Sequence, residues 1–228
     1  MRIIQVLFLL VFAGCKTEFE DQFCVGDVGC TSGITYSTLY TDTFTRADEN
    51  PLAAPWTTVL ANGDLFELKS NEANPSEVGT ATVVPSALYN TNITATNVRI
   101  STSVRIGAGG YDGEMMVYAR SSSSSSVANT YFCGIDPTSS KATIGKTVGG
   151  TASPVAVSTG TMTYNNGDTY TLTFTLEGTS LTCALSGSDS VSVSGTDTAF
   201  SSGYAGLGGG DSGNNVLYFD NFKAETGQ

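Results

Sequence analysis

The stretch "DTYTLTFTLEGTSLTCALSG", residues 168–187, carries the clearest structural signal in the sequence. Apolar residues alternate with threonine over 170–176, and the alternation resumes over 181–185 after a glycine at position 178. A period of two is typical of strands that bury one face. Gly178 lies where a hairpin turn needs a positive φ. The sequence therefore predicts a β-hairpin in this region.

Shorter alternating segments occur before and after this hairpin. They are "NVRISTSVRIG" (97–107), "GEMMVYARS" (113–121), "TYFCGID" (130–136) and "NVLYFDNFKAE" (215–225). Turn residues separate them, among them the serine run 121–126, which we interpret as a solvated hairpin loop. Many short strands with intervening turn signals, and no sustained helical period, predict an all-β domain.

Composition excludes several classes of function. The chain of 228 residues has a net charge of −11, no histidine and a pI near 4.2. Phosphate binding depends on Lys and Arg, so nucleic acid is not an expected partner. Without histidine, neither a Ser-His-Asp triad nor a His-ligated zinc site can form.

The N-terminus has the order of a secretory signal. Arg2 precedes an apolar run that is too short to span a bilayer and that ends in "FAGC" at Cys15. This ending resembles the bacterial lipobox, which implies that Cys15 carries a lipid; the alternative is an ordinary signal peptide with an incidental cysteine. We therefore predict a signal peptide over 1–14, a lipidated spacer over 15–38 and a domain over 39–226. The expected location is the cell envelope, at the outer membrane or cell surface, with no membrane contact besides the lipid.

The other four cysteines divide into two pairs. Cys24 and Cys30 lie in "CVGDVGC", whose glycines permit a short-loop disulfide; a metal site is the alternative. If the strands between 128 and 186 form a simple meander, Cys133 and Cys183 lie roughly 14 Å apart at about 4.8 Å per strand. A disulfide needs Cα atoms within about 7 Å. The meander therefore predicts two buried thiols.

The two ends of the predicted domain resemble the laminin-G/concanavalin A-like lectin and glucanase superfamily. The residues that carry this resemblance are Asp42, Phe44, Arg46, Leu52 and Trp56 at the start and "LYFDNFKAE" (217–225) at the end. It implies a concanavalin A-like jelly-roll β-sandwich of two antiparallel sheets, over about residues 40–225. Aromatic residues near both ends also predict that the terminal strands pair and hide their edges. Trp56 is expected in the core, with ligand stacking as the alternative.

An enzyme is the weaker of two functional hypotheses. Glucanases of this superfamily carry Glu-x-Asp-x-x-Glu on one strand, and the nearest match here, Asp112 and Glu114, has no third carboxylate after it. The preferred hypothesis is a surface-tethered, non-catalytic binding module, most simply for a glycan. The alternatives are a polysaccharide-cleaving enzyme on the same fold, or a structural cell-surface or virion protein.

Aromatic and polar residues near one hairpin are the predicted ligand-binding site. They are Tyr111, Tyr118, Arg120, Asn129 and Tyr131. Tyrosine rings can stack on sugar faces, and the polar groups can orient hydroxyls. The alternative is a mixture of core and surface tyrosines.

A structural calcium ion is the only predicted cofactor. By resemblance to β-sandwich modules whose terminal strands are tied by calcium, its ligands are Asp42 and Asp220, and oxygen ligands suit a hard cation. Capping of the strand ends is the equal alternative for both aspartates.

Overall fold

A computed structural model of the chain describes residues 33–59, 66–75, 86–107, 114–136, 139–210 and 217–228. These residues form fifteen β-strands. The strands are β1 (Tyr36–Asp42), β2 (Trp56–Val59), β3 (Phe66–Lys69), β4 (Glu72–Pro75), β5 (Ser86–Tyr89), β6 (Asn97–Ile106), β7 (Glu114–Ser121), β8 (Thr130–Asp136), β9 (Lys141–Val148), β10 (Thr151–Val157), β11 (Thr169–Glu177), β12 (Ser180–Gly187), β13 (Val191–Thr196), β14 (Tyr204–Gly210) and β15 (Leu217–Gly227). Across these ranges we find no helix with the length and hydropathy to cross a membrane.

The strands form two antiparallel sheets that pack face to face. The eight-stranded sheet has the order β13-β12-β11-β6-β15-β4-β3, with β1 also paired to β15, and the seven-stranded sheet has the order β10-β9-β8-β7-β14-β5-β2. Strand β6 shows how the sequence specifies this arrangement, because its ten residues alternate between half-buried and buried. The all-β, two-sheet sandwich predicted from the sequence is confirmed.

The hairpin predicted over 168–187 is formed by β11 and β12. The two strands pair in register up to Glu177 and Ser180, and Gly178 in the turn has a φ of 57°. Phe174 and Leu181 are fully buried, whereas the threonines between the apolar residues of β11 lie on the outer face. The period of two therefore predicted the buried face correctly, and Gly178 predicted the turn.

The two terminal strands pair, as predicted. Strand β1 begins at Tyr36, three residues before the predicted domain start. It runs antiparallel to β15, and the pairing extends to Asp42, which lies opposite Phe222. Trp56 is 3% exposed, and its ring lies 4.9 Å from that of Phe222 and 5.6 Å from that of Phe44. Trp56 is therefore a core residue that packs against aromatic residues from near the start and near the end of the domain's sequence.

The prediction of two buried thiols at Cys133 and Cys183 is wrong. The two residues form a fully buried disulfide with a Cα separation of 5.3 Å. The meander assumed one sheet, but β8 belongs to the seven-stranded sheet and β12 to the eight-stranded sheet. The cysteines therefore meet across the core. Cys15, Cys24 and Cys30 lie outside the described residues.

Candidate functional site

Three of the predicted ligand-binding residues are buried, so their assignment to an exposed site is wrong. Tyr118, Arg120 and Tyr131 are 4%, 3% and 0% exposed. These three side chains have almost no accessible surface and do not line the groove described below, so they offer a ligand no face for stacking. Asn129 is half-buried, and its side-chain oxygen accepts a hydrogen bond from the backbone N–H of Gly149 at 2.9 Å. Tyr111 lies outside the described residues.

Arg120 holds loops together at one end of the sandwich. Its guanidinium donates to the backbone carbonyl oxygens of Thr96, Gly178 and Phe200 at 2.6 to 2.9 Å. Burial lowers the pKa of Arg120, yet an arginine stays charged in a protein. Arg120 also has a φ of 52°, which breaks the regular alternation of β7 at this position. Its role is therefore structural.

Tyr131 belongs to a second structural network. Its hydroxyl donates to Asp197 at 2.6 Å, and Lys146 forms an ion pair with the same carboxylate. Partial burial opposes ionisation of Asp197, but the Lys146 ammonium and the Tyr131 hydroxyl outweigh it and lower the pKa of Asp197 to about 2. This network joins β8 and β9 to the loop that follows β13.

The Asp197 network should give the protein a specific acid sensitivity. Because the folded-state pKa lies below the unfolded value, the stabilisation is complete above pH 4 and is lost as the pH falls towards 2. Asp197→Asn should cost about 1 kcal/mol at pH 7. In urea titrations at several pH values, the gap between the two proteins should close below pH 4. A gap that persists unchanged at pH 2 would contradict the network, and Asp48→Asn, at an exposed carboxylate, serves as the control.

Asp42 and Asp220, the predicted calcium ligands, both accept hydrogen bonds from N–H donors. The Asp42 carboxylate accepts hydrogen bonds from Phe44 N, Arg46 Nη1 and Trp56 Nε1 at 2.7 to 2.8 Å. Asp220 accepts from the backbone and side chain of Asn221. Both oxygens of Asp42 face N–H donors, so these residues do not fit calcium. The alternative of strand-end capping fits Asp42, which ends β1, whereas Asp220 lies inside β15 at the break in its pairing with β6.

The outer face of the seven-stranded sheet carries the best candidate binding site. A groove of about 240 Å³ crosses β7 to β10 on this face. Its lining residues in the described part of the chain are Glu114, Met116, Phe132, Gly134, Ile135, Thr143, Ala152, Ser153 and Pro154. The lining is mainly apolar, with a carboxylate on β7 and hydroxyls on β9 and β10. We call it the outer groove.

Two glycines shape the floor of the outer groove. Gly145 pairs with Phe132 across β8 and β9, and a Cβ at Gly145 would lie only 2.0 Å from the Phe132 ring. Gly134 pairs with Met116, and a Cβ there would lie 2.5 Å from the Met116 side chain. The two glycines therefore leave the space that the Phe132 and Met116 side chains occupy. Both side chains pack with Leu88 and Tyr118 in a second apolar cluster.

The outer groove was not predicted from the sequence, although the sequence contains a signal for it. A glycine inside a strand often marks a site where another group approaches the backbone closely. Gly134 and Gly145 lie within β8 and β9, opposite large side chains. To predict that these glycines lie opposite Met116 and Phe132, one must know the register between the paired strands. Alternation alone does not specify that register.

Sugar hydrolysis needs more carboxyl groups than the described lining of the outer groove supplies. That reaction uses two carboxyl groups on either side of the scissile bond. Among the described residues that line the groove, Glu114 is the sole carboxylate. Across the described ranges, no three His, Cys, Asp or Glu side chains are grouped to hold a metal ion.

Solved structures with similar folds include sugar-binding proteins. The carbohydrate-binding module CBM66 from Bacillus subtilis aligns with a TM-score of 0.60 at 20% identity, over 75% of this chain and 96% of that one. Lectin II from Ulex europaeus aligns with a TM-score of 0.58 at 14% identity, over 84% and 100%. The CBM2 module of the evolved Dit protein of Lactobacillus casei BL23 phage J-1 aligns with a TM-score of 0.58 at 16% identity, over 85% and 97%. No family model matches the chain, and no curated protein matches it in sequence. The likenesses establish the fold: the chain is a two-sheet β-sandwich like those of plant lectins and bacterial carbohydrate-binding modules.

Proposed function

We propose that this chain is a non-catalytic carbohydrate-binding module and that the outer groove is its binding site. The observation that carries the proposal is the apolar floor of half-buried Phe132 and largely buried Met116, which line the groove beside the hydroxyls of Thr143 and Ser153. A sugar ring presents an apolar face of C–H groups and an edge of hydroxyls, and the groove offers both complements. The similar structures named as lectins and carbohydrate-binding modules support the proposal.

The groove suits a short, weakly bound ligand. Its volume of about 240 Å³ lies just below the roughly 300–1,000 Å³ of sites for drug-sized ligands. One or two sugar rings would fill it. Many copies on one surface would then supply affinity through multivalency.

Phe132→Ala should weaken glycan binding. An aromatic contact contributes on the order of 1 kcal/mol, so the dissociation constant for a bound oligosaccharide should rise about fivefold. Tyr218→Ala is the matched control, because Tyr218 lies on the other sheet with Arg105 3.8 Å from its ring. Ligands come from a glycan array, affinities from calorimetry and folding from thermal melts. Equal affinity of the two variants, or release of reducing sugar from the glycan, would contradict the proposal.

We further propose that the protein is exported and anchored by a lipid on Cys15. The buried Cys133–Cys183 disulfide supports export, because disulfides persist in oxidising compartments. The signal-like N-terminus and its resemblance to a lipobox support the anchor.

Metabolic labelling with a palmitate analogue tests the anchor. The wild-type chain should incorporate the label, and Cys15→Ala should lose it while remaining folded, because Cys15 precedes the sandwich in sequence. Cys133→Ala is not a usable control, since it breaks the disulfide. Ser122→Ala, at an exposed serine, is suitable. Equal labelling of wild type and Cys15→Ala would rule the anchor out.

A further inference from the structure

We propose that Gly145 is a positioning residue of the binding site: it holds the Phe132 ring in the floor of the outer groove, and a side chain at position 145 would close the site by displacing that ring. This inference rests on the proposed function, because it concerns the same groove. Three observations carry it: the contact between Gly145 and Phe132, the packing around the ring, and the backbone of Gly145.

The Phe132 ring occupies the space that a side chain at position 145 would need. A Cβ on Gly145 would lie 2.0 Å from Cζ, 2.5 Å from Cε2 and 2.6 Å from Cε1 of Phe132. These are its three nearest heavy atoms, so a new methyl group would meet the tip of this ring before any other group. Gly145 is itself buried, whereas Phe132 is half-buried and lines the groove. The ring and a residue larger than glycine cannot share this place.

The packing around the Phe132 ring decides where a displaced ring would go. Phe132 on β8 lies opposite Gly145 of β9 on one side and opposite Tyr118 of β7 on the other. Tyr118 and Met116 are buried in the apolar cluster against which Phe132 packs. Gly145 in turn lies opposite Pro154 of β10, which lines the groove. Because the cluster fills the side towards β7, a ring displaced from Gly145 would move outwards into the groove.

The backbone of Gly145 does not itself require glycine. Gly145 lies inside β9 and is not among the residues with a positive φ, so alanine can adopt its conformation. Gly134 differs, because a Cβ there would lie 2.8 Å from the backbone oxygen of Met115 as well as 2.5 Å from the Met116 side chain. A substitution at Gly134 would therefore disturb the pairing of β7 and β8. At Gly145 the effect passes through the Phe132 ring.

A double-variant cycle on the full-length chain tests the inference. It compares wild type, Gly145→Ala, Phe132→Ala and the double variant by calorimetry, with an oligosaccharide that a glycan array shows to bind wild type. Gly145→Ala should raise the dissociation constant about fivefold or more, because it removes the ring contact that Phe132→Ala also removes. The double variant should bind no more weakly than Phe132→Ala. An additive loss of about 25-fold in the double variant would overturn the inference.

Thermal melts of the same four proteins separate the ring contact from a general loss of stability. Gly145→Ala should lower the melting temperature of wild type by about 5 °C, as overpacking does. In the Phe132→Ala background the space is vacant, so the same change should raise the melting temperature by about 2 °C. Gly160→Ala is the control, because its Cβ would meet nothing closer than Val191 Cγ2 at 4.0 Å, and it should match wild type in both measurements.

The outcomes distinguish this inference from the proposed function. If Gly145→Ala binds the oligosaccharide as tightly as wild type, the inference is overturned whatever the melting temperature, and the proposed function stands. If Gly145→Ala lowers the melting temperature equally in both backgrounds, the effect does not pass through Phe132 and the inference is again overturned. If wild type binds no glycan at millimolar concentration, the proposed function fails, and the binding role of Gly145 fails with it.

Discussion

Removal of the Cys133–Cys183 disulfide is expected to lower the free energy of unfolding by about 4 kcal/mol. The bridge joins residues 50 positions apart, and a cross-link that closes a loop of this size restricts the unfolded chain by about that amount. The double variant Cys133→Ala/Cys183→Ala keeps small apolar side chains at two fully buried positions. Urea unfolding of this variant and of wild type, without reductant, measures the difference.

Non-reducing peptide mapping provides the control for this measurement. It should recover a peptide that contains both Cys133 and Cys183, and that peptide should separate on reduction. Wild-type protein unfolded in strong reductant should approach the stability of the double variant. Two free thiols in the folded protein, or a stability difference below 1 kcal/mol, would contradict a bridge between the sheets.

Arg120→Met is expected to be nearly as damaging, at about 3 kcal/mol. Methionine has a similar length and fills part of the same volume, but it donates no hydrogen bonds. The carbonyl oxygens of Thr96, Gly178 and Phe200 would each lose a bond from the guanidinium. Removing a buried charged donor leaves its partners without compensation, which is a large effect in proteins. Chemical unfolding gives the magnitude.

Arg99→Met is the matched control for Arg120→Met. Arg99 pairs with Glu225 on the eight-stranded sheet, and 38% of its side chain is exposed. Glu225 is buried but keeps its ion pair with Lys223, so the same substitution at Arg99 should cost no more than about 1 kcal/mol. If both variants lose the same stability, Arg120 is not the specific connection between the three loops.

The fold was predictable because the alternation of apolar residues specifies which face of each strand is buried. In β11 that pattern alone identifies the core positions, and in β6 it identifies all of them except Thr102, which is polar and buried. It does not specify which sheet a strand joins. Strands β8 and β12 have similar alternation, yet they belong to opposite sheets, and the error about Cys133 and Cys183 follows directly from this.

The candidate site was less predictable than the fold. Tyr118 and Met115 lie on opposite faces of β7, as their sequence separation of three implies, but the sequence does not show that neighbouring side chains cover the outer face. Tyr118 is buried there in an apolar cluster, and burial raises its pKa to about 12. The sequence does not indicate the positive φ of Arg120 either, because positive φ values are uncommon for residues other than glycine.

The binding role of the outer groove can be tested most directly with labelled methionine methyl groups. Met116 lines the groove, Met115 is fully buried with its side chain in the core between the sheets, and Met162 is buried elsewhere. In NMR titrations with an oligosaccharide that binds, the Met116 methyl resonance should shift in a saturable way, while those of Met115 and Met162 stay nearly fixed. A saturable titration that leaves Met116 unmoved would show that the glycan binds elsewhere and would contradict the account.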